Sequence, residues 1–234
     1  MAGFRTGIKY TNMKGDKVRR MKVKVYMPDA DECNTVDYNE GGNLYAFINA
    51  NTVKGFALDM GVVKRGSQWY AFYSGTAGYE EKRLSFNPEG DSFYIEYKAS
   101  SNKLEIFVDG DEYLQISSGW GATALYNEDL LHTAIEATIV PTWHADERAS
   151  WLYFNETNSK GRVFLKDIKM KRMKMYAEPT TERITSFYNE NLISSDHWKF
   201  QFLADPISDF YKYDREGFRA TLDLNRTSFQ FYRP

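Results

Sequence analysis

Along residues 18–27 the apolar Met21, Val23, Val25 and Met27 alternate with Lys22, Lys24 and Tyr26. That period of two belongs to a strand with one face in a core and the other in water. The same alternation sets Phe93, Ile95 and Tyr97 against Tyr94, Glu96 and Lys98, and Leu104, Ile106 and Val108 against Glu105 and Phe107. The polar stretch Ala99-Ser100-Ser101-Asn102 between those two runs predicts a hairpin. Further strands are predicted at 44–50, 55–63, 68–74, 112–117, 133–140, 150–155 and 162–176, separated by Gly, Asn, Asp, Ser and Pro, which favour turns. Many short strands without helical patterns between them predict an all-β fold, a sandwich or jelly roll rather than a parallel α/β sheet. The expected architecture is a two-sheet antiparallel jelly-roll sandwich with a mostly β C-terminal extension.

Two local features qualify that pattern. In 162–176, Ile168 and Met170 share one parity while Met173 and Met175 share the other. A bulge or turn near Lys171-Arg172 would return all four to the core side, where the methionines serve as filler. After Tyr176 the run Ala177-Glu178-Pro179-Thr180-Thr181 breaks the alternation and marks a boundary between a sandwich over 1–176 and an extension over 177–234. Ile184, Phe187, Tyr188 and Leu192 have the spacing of a short helix. Strands are expected beyond it at 198–203, 209–214, 217–224 and 227–232. The extension is too short to make a robust core alone, so it is expected to pack on the sandwich or lengthen its sheets.

Composition narrows the class. The chain has 234 residues, 16% of them aromatic, which is ample apolar material for a core and excludes a disordered chain. One cysteine, Cys33, excludes a disulfide framework and a cysteine-built zinc site, and is expected to be a buried thiol. No apolar run is long enough to span a membrane as a helix. No apolar leader segment follows Met1, so an extracellular or cell-surface location would imply a leader already removed.

The segment from Asp91 to Gln115 resembles the central hairpin of the concanavalin A-like lectin/glucanase superfamily, in particular its laminin-G-like branch. The resemblance lies in Phe93-Tyr94-Ile95-Glu96-Tyr97, then Lys103-Leu104-Glu105-Ile106-Phe107-Val108-Asp109-Gly110, then a strand from Tyr113 to Ile116. Leu165-Lys166-Asp167-Ile168-Lys169 is similar to the closing strand of those domains. The resemblance implies two curved antiparallel sheets over 4–176 and, for many members, carbohydrate bound on the concave one. It also implies a test. Retaining glucanases of the superfamily carry Glu-x-Asp-x-x-Glu along one strand, which puts the carboxylates on one face. The Glu-x-Asp here is Glu89-Gly90-Asp91, with Tyr94 in the third position, so the motif fails.

Other catalytic patterns are missing too. There is no phosphate loop, no Gly-x-Ser-x-Gly elbow and no His-Glu-x-x-His, and His132, His144 and His197 lack metal spacing. The remaining acidic candidates are Glu96 and Glu105 on facing hairpin strands, and Asp146-Glu147 beside His144 in the polar loop Thr142–Arg148. Aromatics are plentiful instead. In 68–74, Trp69, Ala71 and Tyr73 point one way and Tyr70 and Phe72 the other, so one aromatic row is expected on an outer or concave face.

The expected ligand-binding residues are Trp69, Tyr73, Trp120, Trp143, His144 and Asp146, and the expected ligand is a glycan, an anionic polysaccharide included. The acidic stretch Pro28–Asn43 offers Asp29, Asp31, Glu32 and Asp37 as oxygen ligands for Ca2+. Cations cluster in 1–27 and 161–176. If the first and closing strands lie side by side, Lys22, Lys24, Lys169 and Lys171 form a positive stripe suited to an anionic polymer. No nucleic-acid module accompanies it. The expected function is non-catalytic carbohydrate or cell-surface binding; a glycan-cleaving enzyme with a non-standard acidic site and a structural assembly protein stand as alternatives.

Overall fold

A computed structural model describes residues 4–12, 17–35, 42–141, 164–177, 187–192 and 218–223. The first sheet contains β1 (Phe4–Asn12), β4 (Gly42–Thr52), β5 (Ala57–Arg65), β6 (Gln68–Gly75), β7 (Gly78–Arg83), β11 (Leu130–Pro141) and β13 (Phe187–Leu192). Its order is β13-β1-β11-β4-β5-β6-β7, and every pairing is antiparallel. The second contains β2 (Arg20–Tyr26), β3 (Cys33–Asn34), β8 (Ser92–Ala99), β9 (Leu104–Val108), β10 (Asp111–Ile116), β12 (Phe164–Tyr176) and β14 (Phe218–Asp223). Its order is β10-β9-β8-β2-β12-β14, with β3 also paired to β12. The two sheets form a β-sandwich, and alternation explains why. Leu44, Ile48, Leu58, Met60 and Val62 of the first sheet share one buried cluster with Met21, Val23, Phe93, Ile95 and Ile106 of the second.

The 93–97 and 104–108 runs do pair as a hairpin, Ile95 opposite Val108 and Ala99 opposite Leu104. Between β9 and β10, Asp109 (φ 52) and Gly110 (φ 94) take the left-handed conformations of a tight two-residue turn. In β12 the register shifts between Lys171 and Lys174, with Arg172 at φ 55. The bulge buries Ile168, Met170, Met173 and Met175 together.

The structure corrects the helix expected from Ile184 to Leu192, because 187–192 is β13, paired with β1. It also adds what the pattern did not predict: β1, β3, β7 and the helix α1 (Gly119–Asn127). The expected strands at 150–155, 198–203, 209–214 and 227–232 lie outside the described residues. One end of the core is closed by an ion pair. Lys64 Nζ pairs with Glu89 and donates to the Cys33 carbonyl at 2.8 Å, while Trp69 Nε1 donates to Glu89 at 2.9 Å.

Candidate functional site

Cross-strand register builds two outer faces. On the first sheet, one row runs Thr138, Tyr45, Val63, Tyr70, Arg83, and the next Glu136, Phe47, Gly61, Phe72, Glu81. A third row runs Ala134, Asn49, Asp59, Ser74, Tyr79. Directly opposed residues of an antiparallel pair share a face, so these rows turn away from the core. Their centre is apolar: Tyr45, Phe47, Val63 and Phe72 form a second buried cluster with Tyr70 packed against it. Tyr45 and Phe47 meet Phe72 edge-on, with ring centres 5.3 and 6.1 Å apart. Gly61 makes room for that packing. A Cβ there would run into the Ala46 carbonyl and stand 2.6 and 2.7 Å from Phe47 Cα and Cβ.

Polar groups surround this floor. Asn51 donates to Asn49, which donates to Asp59 at 2.6 Å. On the other side Arg65 Nη2 donates to the Tyr79 hydroxyl at 2.5 Å, Tyr79 donates to Glu81, and Arg65 lies 3.3 Å from Glu81. Partial desolvation pushes the Tyr79 phenol up, as does its bond to Glu81, with the Arg65 charge opposing. Burial raises Tyr45 too, again against Arg65. Both rings therefore stay neutral donors near pH 7. The buried Arg65 Nε and Thr138 Oγ1 atoms have no hydrogen-bond partner among the described residues. Tyr70, Gln68, Ser74 and Asp59 are half-buried, and Tyr79 is exposed.

The carboxylates on this face are dispersed. Glu136 and Glu81 occupy one row but sit four strands apart, about 19 Å at ~4.8 Å per strand, and Asp59 in the next row lies two strands from each, about 12 Å. A glycosidase pair needs roughly 5–10 Å. No described strand of this sheet turns two carboxylates to the face, so no glucanase-type row is present among the described residues.

The expected site residues fall in different places. Trp69 and Tyr73 are corrected: they face the core at 3% and 8% exposure, and the outward aromatics of β6 are Tyr70 and Phe72. Alternation separated the two rows but could not say which faced inward, because both are aromatic. Trp120 is 45% exposed on α1, its Nε1 donating to Glu128 at 2.6 Å and its ring edge-on to Phe56. Trp143, His144 and Asp146 lie outside the described residues, as does Asp37. Asp29 and Asp31 are exposed beside the 3-10 turn Ala30–Glu32, with Glu32 half-buried. Among the described residues no three His, Cys, Asp or Glu side chains gather to hold a metal ion. Glu96 and Glu105 lie on one face but are each engaged by cations, Glu96 by Arg20 at 2.5 Å and Glu105 by Lys103 at 2.5 Å. Tyr79 was one of the aromatics the sequence offered for stacking on a sugar, but sequence reasoning missed its partners Arg65 and Glu81. Their signal would have been the register of β5 against β6 and β7, which alternation alone does not supply.

No protein-family model and no curated protein matches this chain. Similar solved structures include a non-specific endo-β-1,3(4)-glucanase of family GH16, 12% identical over 61% of this chain, at a TM-score of 0.38. This chain spans 50% of that glucanase. A laminarinase from Flavobacterium sp. UMI-01 is 11% identical, covering 58% of this chain and 67% of its own, at 0.39. The Scytalido-glutamic peptidase is 13% identical, covering 83% and 90%, at 0.41. For this chain the two-sheet antiparallel β-sandwich itself stands on the strand pairings described above.

Proposed function

We propose that this β-sandwich is a non-catalytic glycan-binding protein, and that the outer face of the first sheet receives the sugar. The observation that carries the reading is the pair of accessible phenol rings, Tyr70 and Tyr79, set beside Arg65, Glu81, Asp59 and Gln68 on a rigid aromatic floor. Sugars offer apolar ring faces and many hydroxyls, and this face pairs flat rings with both donors and acceptors. The unmet Arg65 Nε and Thr138 Oγ1 add groups that would gain from a hydroxyl partner. An extracellular or surface location goes with this reading, and no helix among the described residues is long and apolar enough to cross a membrane.

The test is a thermal-shift and calorimetric panel of neutral polysaccharides (laminarin, mixed-linkage glucan, xylan and mannan). Binding to the native state alone raises the unfolding midpoint by mass action. One glycan is expected to raise it, and Tyr70→Ala or Tyr79→Ala is expected to weaken that binding by about threefold to tenfold with little change in the unliganded midpoint. If no neutral glycan shifts the midpoint, the reading fails. Release of reducing ends would favour the glycan-cleaving alternative, against which the dispersed carboxylates weigh.

A further inference from the structure

The second outer face carries a different chemistry. β2 lies between β8 and β12, so Arg20, Lys22 and Lys24 stand beside Tyr176, Lys174 and Lys171 on one side. On the other side they stand beside Lys98, Glu96 and Tyr94. Tyr26 sits opposite Lys169, and β9 adds Phe107 opposite Glu96. The intervening Met21, Val23, Val25, Ile95 and Tyr97 are buried, so these polar rows face outward. Lys174 is exposed, and the others are half-buried except for Glu96, at 4%.

The cations are held in place. Lys22 Nζ lies 4.0 Å from the centre of the Tyr94 ring and Lys98 Nζ 4.0 Å from that of Phe107. Arg20 lies 5.0 Å from Tyr176 and Lys24 4.9 Å from Tyr26. Glu96 sits beneath them, 2.5 Å from Arg20, 3.7 Å from Lys22 and 3.8 Å from Lys98. One carboxylate thus anchors three cations and neutralises only part of their charge. The result is a positive face on a chain whose net charge is -2.

We propose that this face is a docking platform for an anionic polysaccharide, a binding site separate from the face assigned to neutral sugar. Keeping a sheet edge soluble does not account for it, because β2, β8 and β12 are interior strands. Side chains laid on rings and fixed by Glu96 lose less rotamer freedom on binding than free surface lysines. Nucleic acid fits less well. A single strand is held by bases stacked on open aromatic faces, and here each ring already carries a cation. A duplex is read by an element that enters a groove, and this face is a sheet of strands. What remains is a set of fixed cations on neighbouring strands, a charge pattern that suits carboxylate or sulfate groups repeated along a flexible chain.

The experiment measures affinity of the full chain for polygalacturonate and dextran sulfate, with uncharged dextran and a 20-nucleotide single-stranded DNA as comparators, at low and moderate salt. Either anionic glycan is expected to bind, more tightly than the DNA, and to weaken steeply as salt rises. Lys22→Gln/Lys24→Gln/Lys174→Gln is expected to lose about tenfold or more in that affinity while keeping its unfolding midpoint and its neutral-glycan response. The single exposed substitution Lys174→Glu gives the same direction of change should the triple variant fold poorly. Binding of dextran as tight as that of the anionic glycans, affinities that both variants leave unchanged, or tighter binding of the DNA would each overturn the proposal. Because the Tyr70 and Tyr79 variants leave this face intact, failure here and failure of the neutral-sugar reading are distinguishable.

Discussion

Lys64 and Glu89 are each 9% exposed as side chains, so neither has water enough to carry its charge alone. Burial would raise the Glu89 carboxyl, but hydrogen bonds from Lys64 and Trp69 and the Lys64 charge outweigh it and hold the group below the usual carboxylate range. A depressed carboxyl stabilises the fold above its unfolded value of about 4.3, and that stability is lost as pH falls through the lower folded value. The unfolding midpoint is therefore expected to drop as pH is taken from 5 towards 2. Glu89→Gln is expected to flatten that drop and to cost about 3–5 kcal/mol at pH 7, since it strands a buried ammonium. Calorimetric scans across pH check both, and a Glu89→Gln scan parallel to the parent's would refute the assignment. None of this was legible in the sequence. Lys64 and Glu89 are 25 positions apart by number, and Glu89 stood out there only as part of a failed glucanase motif.

At the scale of the element, β12 shows what period-two reading can and cannot do. The parity break between Met170 and Met173 located the bulge, because four buried side chains on a strand must share a face. The shift leaves Arg172 as the extra residue, exposed and at positive φ. Deleting Arg172 is therefore expected to preserve the alternation from Lys171 through Met175 and change the unfolding midpoint by only a few degrees. Deleting Lys174 instead breaks that alternation and turns Met175 outward, which is expected to lower the midpoint far more. Equal losses from the two deletions would contradict the bulge.

Where alternation was silent, the elements take their order from neighbours. β7 reads Gly-Tyr-Glu-Glu-Lys-Arg and has no apolar row of its own; it is a strand because β6 pairs with it, and its charges blunt the sheet edge. In α1, Gly121 faces Ala77 so closely that a Cβ would stand 2.7 Å from the Ala77 Cβ. That helix is set by packing more than by an amphipathic pattern. The Phe187–Leu192 run has no apolar/polar alternation of its own, and it is a strand because it pairs with the edge of β1.

For the whole molecule, the tail strands β13 and β14 lie at opposite sheets, one beside β1 and the other beside β12. Removing residues 177–234 would uncover an edge on each sheet at once. The truncated 1–176 chain is expected to show a lower unfolding midpoint and concentration-dependent aggregation, and light scattering alongside a thermal scan would show whether it does. Fold class was legible because most strands carry their own alternation. The partition of strands between sheets was not, because it depends on long-range register, and so the outward face of each sheet had to wait for the structure.

Cys33 gives that architecture a built-in clock. Its thiol is buried, and burial, with the Glu89 charge adding, pushes its pKa up to about 12, so the native chain offers almost no thiolate. A small alkylating reagent should therefore mark the protein only when β3 leaves β12. The labelled fraction, followed over time by intact-mass spectrometry, would report how often β3 leaves β12, and a ligand that steadies the second sheet would slow it.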